Sequence, residues 1–412
     1  MTTAVSSGVS GTGPGLRVRR FWLVPVIAVL VLSPFLFTSL AVKRPVWDEL
    51  WFHIDVARAF GPGLPDLATL RDYNSAVGPG FYILSGNVGA LFGYRLFWLR
   101  LMVFLFAGAN VLLLFRLARR LVPEDPLPVL LVVATYPDLL RLSGLFMSEQ
   151  PALFFGLAGL VCFVRQLHTR RPVALASALA LTAIAILFRQ YYVFLPVGYA
   201  ASELAGSLRS WKRALVLLTP VLGLLPFVLL WAGLTPRALQ QRYHPGFTMG
   251  GASSILVWAG ASLFPWLLLE LRRRSWVLEP WMLAALVGIP VVLLAPEIGP
   301  GWIRSALNLL PGSDAMPVKF VLAVAGACSL LLIGASVREA NKVRRALAFA
   351  GLSAVGLLCL SGPTLWERHF LPAYPLLLLA LARQPGVVLP VVWGLGVHVP
   401  IAAIQLLIVA NS

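Results

Sequence analysis

The sequence predicts an all-α polytopic membrane protein with about 13 transmembrane helices and amphipathic helices in the first outer loop. Three observations carry that expectation. Of 412 residues, 59% are hydrophobic and only 12% charged, roughly half the charged fraction of an ordinary soluble domain, and the mean hydropathy is +0.85. Apolar runs recur along the chain at close to the roughly 20 residues that a bilayer-crossing helix needs. The formal charge is +17, from 33 Lys and Arg against 16 Asp and Glu, and the basic residues sit in short clusters between apolar runs. That placement is positive-inside patterning rather than a nucleic-acid surface.

Residues 1–16 are rich in Ser, Thr and Gly without periodicity, the signature of a disordered tail, and residues 17–412 read as one transmembrane catalytic domain. Arg17, Arg19 and Arg20 precede the apolar run 21–42. The order imitates a signal peptide, down to a cleavage-like Ser39-Leu40-Ala41, but the run is longer than a signal core and reads as an uncleaved first span. The loop 43–80 follows on the far side. Gly78-Pro79-Gly80 breaks the chain before Phe81–Phe92, which is too short to span and reads as re-entrant or interfacial. Further spans are expected near 97–118, 127–141, 147–165, 173–188, 191–207, 213–232, 253–270, 276–295, 316–336, 346–362, 370–383 and 387–409. Cys162, Cys328 and Cys359 lie inside apolar segments at no metal or redox spacing and read as packing residues.

With the N-terminus inside and sides alternating, clusters at 17–20, 116–120, 165–171, 209–213, 272–274, 338–345 and 383 face the cytoplasm and hold 20 of the 33 basic residues. Asp48, Glu49, His53, Glu149, Arg189, Gln190, His244, Glu367, Arg368 and His369 then fall at or near the outer face. Charged groups near lipid are costly, roughly 2.5–3.5 kcal/mol at mid-helix. Their convergence on one side points to one outward-facing site.

The first loop concentrates acidic groups as this basic chain does nowhere else: Asp48, Glu49 and Asp55, with His53 among them. On a helix over Val46–Phe60, Glu49 and His53 stand four apart on one face, and Trp47, Leu50, Ile54 and Ala57 form an apolar stripe suited to a membrane surface. A solvated loop helix would explain the acids equally well. The chemical reading is a general base: a hydroxyl attacking an anomeric carbon must lose its proton, and a positioned carboxylate accepts it. Asp48 and Glu49 point in different directions on a helix, so one serves as base and the other positions. No Asp-x-Asp pair or His/Cys cluster supplies a metal site, and no cofactor motif is present.

Arg189-Gln190 sits between two apolar segments, either as a snorkelling loop arginine or as a guanidinium that grips a lipid phosphate with two prongs. Glu367-Arg368-His369 is a second polar triplet between spans; an internal Glu–Arg pair explains two of its members, phosphate or sugar binding all three. Glu149 opens a span, where an acid complements the helix N-terminus and Ser148 suits an N-cap. The structural role is the stronger half there.

The segment VWDELWFHIDVARAF with the following GPGFYILS resembles the opening of the dolichyl-phosphoglucose-dependent α-1,2-glucosyltransferase family. Asp48-Glu49, Phe52-His53 and Pro79-Gly80-Phe81-Tyr82 stand where that family has an acidic Asp-Glu, a Phe-His and a Pro-Gly-Leu-Tyr element. Arg100, Asn110, Ser148-Glu149, Phe188-Arg189-Gln190 and Arg368-His369 follow in similar order. The likeness is good over 44–200 and thin beyond. Three features depart from it: an extra residue, Trp51; Tyr191-Tyr192 after the Phe-Arg-Gln; and Glu367 with FLPAYP around the Arg-His, which looks more like prokaryotic mannosyl- and arabinosyltransferases of the same superfamily.

The resemblance implies a C-type glycosyltransferase (GT-C) fold, a polyprenyl-phosphate-linked sugar donor such as a dolichyl phosphate, a lipid-linked glycan or polysaccharide acceptor, and an inverting, metal-independent transfer. Asp48 is the expected base with Glu49 as second choice, and His53, Arg189, Gln190, Arg368, His369 and Glu149 bind donor and substrate. The expected location is a prokaryotic cytoplasmic membrane with an outer-face site, or the endoplasmic reticulum membrane with a luminal one. A lipid or solute transporter with outward carboxylates is the alternative. It requires charges within the spans, where acidic residues are nearly absent.

Overall fold

A computed structural model describes residues 14–41, 45–46, 48–123, 126–241, 246–273, 279–308, 315–337, 341–362, 365–382 and 392–411. Among the described residues the regular structure is helical, with one isolated bridge between Gly246 and Ser361. Five helical stretches are long and apolar enough to cross a bilayer: Leu96–Leu121, Glu149–Thr169, Leu208–Trp231, Met249–Arg272 and Met316–Ser336. Shorter apolar helices occur at Val24–Leu40, Pro172–Phe188, Pro280–Leu294 and Gly394–Gln405.

Most expected segments are helical, but several are interrupted. The segment 127–141 is two helices, Leu127–Ala134 and Pro137–Arg141. Proline cannot donate the next intrahelical bond and disfavours helical geometry in the residue before it, so the chain turns at Thr135-Tyr136. The segment 213–232 passes through a tight 3₁₀ stretch, Thr219–Leu224, at Pro220. The stretch 387–391 lies outside the described residues, as do residues 1–13, Trp47 and His244. The first helix, α1 (Pro14–Ala41), runs unbroken through the signal-like stretch.

The first loop leads into α2 (Asp55–Phe60), α3 (Leu67–Arg71), α4 (Pro79–Phe92) and α5 (Leu96–Leu121). They are followed by α6 (Leu127–Ala134), α7 (Pro137–Arg141), α8 (Glu149–Thr169) and α9 (Pro172–Phe188). Helix α8 packs along both α9 and α5, and α5 along α1. In the second half, the helix Met249–Arg273 packs along Met316–Ser336. Gly260 there lies against the Leu322 carbonyl and Gly326 against the Leu256 carbonyl. Small residues let helices in lipid approach closely enough for van der Waals packing to hold them.

Gly78 and Gly80 do more than break the chain. The Gly78 N–H donates to the Phe188 carbonyl at 3.0 Å, and side chains at either glycine would collide with Leu187 or Phe188. The start of α4 is thus fastened to the end of α9, one residue before Arg189.

The first loop departs from the expected single amphipathic helix. Glu49–Ile54 forms a π-helical turn that runs into α2. Glu49 and His53 both face inward and are buried. The expected membrane-lying stripe divides: Leu50 is exposed, Ile54 and Ala57 are buried in the core, and Trp47 lies outside the described residues. Ile54 and Ala57 are core residues because α2 packs on α4.

Candidate functional site

The two adjacent carboxylates have different fates. Glu49 is fully buried and faces Arg100 of α5. Its Oε1 accepts from Arg100 Nε at 3.0 Å and from the Phe146 N–H at 2.6 Å. Its Oε2 accepts from Arg100 Nη2 at 2.6 Å and from the Val46 N–H at 2.8 Å. A carboxylate offers about four lone-pair sites, and all four of Glu49 are engaged. Arg100 also donates to the Ser39 carbonyl of α1. Glu49 therefore ties the first loop to α1, α5 and the entry of α8.

Asp48 points the other way, to Arg368, with Oδ2 and Nη1 2.5 Å apart across 320 positions of sequence. The first loop and the 367–369 triplet consequently share one side of the molecule. The Arg368 Nε lies 3.5 Å from Oε1 of Glu149, and the same oxygen accepts from Arg189 Nη2 at 2.6 Å. Asp48, Arg368, Glu149 and Arg189 form one chain of alternating charge. Exposure grades along it: the Glu149 and Arg189 side chains are 1% and 9% exposed, those of Arg368 and Asp48 15% and 21%.

Local structure explains these placements. Glu149 is the first residue of α8, and Ser148 at the cap position makes no side-chain capping bond. Gln150 behind it is held by a buried ladder: Asn110 of α5 donates to Gln150 Oε1 at 2.9 Å, and Gln150 Nε2 to the Leu139 carbonyl at 2.8 Å. Arg189 leaves helical geometry at the end of α9. Arg368 lies in a 3₁₀ turn, Glu367–Phe370, and Trp366 lies 4.9 Å from its guanidinium carbon, a cation–π contact.

Glu367 does not pair with Arg368. It is buried, accepts from the Ile303 N–H at 3.0 Å, and its own N–H donates to the Pro300 carbonyl. Burial and the nearby Asp138 push its carboxyl well above the usual range. Asp138 is buried, with Arg141 Nη2 2.9 Å from its Oδ1. Asp138 and Arg141 are not singled out by the sequence, since 127–141 is apolar enough to read as one span; Tyr-Pro-Asp within it is the signal of the turn. Arg100 was visible only through the family resemblance.

The two histidines flank the charged chain. His53 Nδ1 is 2.7 Å from the Tyr82 hydroxyl, which also lies within hydrogen-bond distance of Ser75 Oγ and the Phe52 carbonyl. Phe81 and Phe146 pack edge-on to its ring. His369 Nδ1 accepts from the Trp366 N–H, and its ring faces Tyr191. Burial pulls both imidazoles from 6.5 down to about 3, with Arg189 and Arg368 adding to the effect. Both are neutral at pH 7, so the two acids and two arginines balance.

Because the folded values lie below the unfolded one, the neutral histidines' contribution to stability is complete above about pH 6.5 and is lost as pH falls toward 3. The unfolding midpoint is expected to fall between pH 7 and 4, and His53→Gln to lessen the slope. Parallel curves for parent and variant would remove His53 from this account.

Around Glu149 several buried polar atoms have no hydrogen-bond partner among the described residues: Glu149 Oε2, Arg189 Nε, Gln190 Nε2, Tyr191 OH and Ser148 Oγ. Buried polar groups left unpaired cost about 1–3 kcal/mol each, and native proteins keep few of them. Gathered in one place, they describe a polar binding locus rich in donors.

A family model described as dolichyl-phosphate-mannose-protein mannosyltransferase matches residues 77–231, a stretch that contains Glu149, Arg189 and Gln190 but neither Asp48 nor Arg368. It describes mannosyltransferases rather than the glucosyltransferase family that the first-loop motifs resemble, so the glucosyl assignment has no support beyond those motifs. No curated protein matches the chain significantly. Among solved structures, ArnT from Cupriavidus metallidurans is similar in its apo state, at 15% identity and a TM-score of 0.42 over 88% of this chain and 77% of that one. The same protein bound to undecaprenyl phosphate is similar at the same identity and TM-score, over 87% and 77%.

Proposed function

We propose that this protein is a GT-C-type membrane glycosyltransferase that moves a sugar from a polyprenyl-phosphate-linked donor to a hydroxyl of a lipid-linked glycan or polysaccharide. The observation that carries the reading is the chain Asp48–Arg368–Glu149–Arg189, in which a partly open carboxylate stands beside two guanidiniums. The mannosyltransferase family match over residues 77–231 supports the same class. Inverting transfer needs a base on one side of the anomeric carbon and stabilisation of the leaving phosphate on the other. Asp48 takes the acceptor proton as the hydroxyl oxygen bonds to the anomeric carbon. The bond from that carbon to the phosphate oxygen breaks, and the electron pair leaves with the polyprenyl phosphate. Arg189 and Arg368 meet its charge, Gln190 and Tyr191 supply further donors, and Glu149 holds the two guanidiniums in place. Glu49 anchors the loop and takes no proton. The charge asymmetry of the connecting loops supports an extracytoplasmic site, and the family resemblance implies a transfer without metal.

The test is to incubate purified protein with a panel of radiolabelled polyprenyl-phosphate sugars and extracted lipids or glycans. Transfer of label that persists with a chelator present is the expected result. No transfer from any donor of the panel counts against the reading.

The phosphate contact makes a separate prediction. Arg189→Ala is expected to weaken polyprenyl-phosphate binding, and Arg189→Lys to recover part of it, since one ammonium cannot reproduce a planar two-donor fork. Titrations with thermal unfolding alongside would check this, because either change also disturbs the buried Glu149. Unchanged affinity in both variants would take Arg189 out of the donor site.

A further inference from the structure

The molecule holds two acid–arginine pairs in neighbouring positions, and their contrast is informative. Glu49–Arg100 is a closed fork: two parallel bonds, side chains 0% and 1% exposed, and further donors on both oxygens. Asp48–Arg368 is open. One nitrogen of Arg368 meets Asp48, its Nε stands 3.5 Å from Glu149, and both side chains keep some solvent contact. The guanidinium is shared between two acids and clamped by neither.

That arrangement conflicts with the role given to Asp48, because the oxygen that meets Arg368 is occupied and not presented to an acceptor hydroxyl. Charge bookkeeping of the proposed transfer resolves the conflict. Before reaction Asp48 carries one negative charge and the donor phosphodiester another. Afterwards Asp48 holds the acceptor's proton and is neutral, and the departing phosphomonoester can carry two. One unit of negative charge moves from the base to the leaving group, and the site's total is unchanged.

Resting on the glycosyltransferase reading, we infer that Arg368 follows this charge: the Asp48 carboxylate and the lipid phosphate are alternative partners of one guanidinium. Arrival of the donor draws Arg368 away from Asp48 and exposes the base, so the acceptor is activated only once the donor is in place. Glu149, 3.5 Å from Arg368 Nε and bound to Arg189, serves as the pivot that keeps the guanidinium at the site in both positions. A base held idle until the donor arrives also keeps the free enzyme from deprotonating acceptors to no purpose.

The exchange is testable without turnover, using a polyprenyl phosphate alone as the probe. If Asp48 competes with the phosphate for Arg368, removing its charge strengthens phosphate binding. Asp48→Asn is expected to bind the lipid phosphate roughly tenfold more tightly than the parent, within the range of coupling measured between contacting charged residues. Arg368→Gln should bind more weakly, and adding Asp48→Asn to it should then change little. Arg368→Lys, which keeps the charge and serves if the glutamine variant folds poorly, should give an intermediate gain. Equal gains with and without Arg368 would mean simple repulsion between Asp48 and phosphate, and would overturn the exchange. So would unchanged or weaker binding by Asp48→Asn in a protein that binds the lipid phosphate normally. Failure of the parent to bind any polyprenyl phosphate would remove the glycosyltransferase reading, and the exchange with it.

Discussion

Asp48→Asn is expected to lower turnover by about 10²–10⁴-fold, the range in which positioned acid–base groups contribute, while the protein stays folded. The amide is nearly isosteric and can still accept a hydrogen bond from Arg368, which in the parent lies 2.5 Å from Asp48 Oδ2. What it lacks is basicity. The expected pattern is therefore a fall in the chemical step with lipid-phosphate binding strengthened, and an unfolding midpoint close to the parent's. Single-turnover measurements with labelled donor separate these quantities. A well-folded Asp48→Asn protein that transfers sugar at a near-normal rate would end the assignment of Asp48 as base.

Glu49→Ala is expected to do something different, namely to destabilise. Arg100 would be left as a buried charge, and the Val46 and Phe146 N–H groups would lose their acceptor. Removing one partner of a buried ion pair typically costs roughly 3–5 kcal/mol, a large share of the roughly 5–15 kcal/mol that holds a domain folded. Arg100→Ala should cost a similar amount from the other side. Glu49→Gln should also be harmful, because its amide NH₂ must face donors where the carboxylate had an acceptor. Thermal unfolding in detergent decides. A Glu49→Ala protein as stable as the parent but unable to turn over would return Glu49 to the chemistry.

Much of the architecture was legible in the sequence because hydrophobic length and charge placement are physical requirements of a bilayer. The segment 316–336 is a helix over those very residues, and Arg189 sits at the junction where the apolar pattern pauses. The grouping of Asp48, Glu149, Arg189 and Arg368 was also foreshadowed, since polar residues near lipid need partners. The pairing was not legible. Whether Glu367 or Asp48 meets Arg368 depends on how a turn after position 365 packs against Pro300 and Ile303, and nothing local encodes that. Adjacent acids cannot be ranked by spacing either. Glu49 is engaged because Phe146, 97 positions away, presents an N–H to it. Breaks within apolar runs, such as that before Pro137, are masked by the hydrophobicity on either side, although a proline and an aspartate mark the turn.

The π-helical turn Glu49–Ile54 bears on how this loop has changed length. Trp51 is the residue this chain has in excess of the motif it resembles, and it falls inside that turn. A π turn closes its backbone bonds over one more residue than an α turn does, so it is the means by which a helix takes in an insertion without rotating what lies on either side. Asp48 before it, and Glu49 and His53 within it, keep their partners, while the surplus side chain is put outside, 56% exposed. Deletion of Trp51 should accordingly be milder than deletion of either neighbour: the turn can shorten to ordinary helix and the acids and the imidazole remain in register. The extra residue is accommodated as a local change of pitch, three places from the proposed base, and leaves that base where it was.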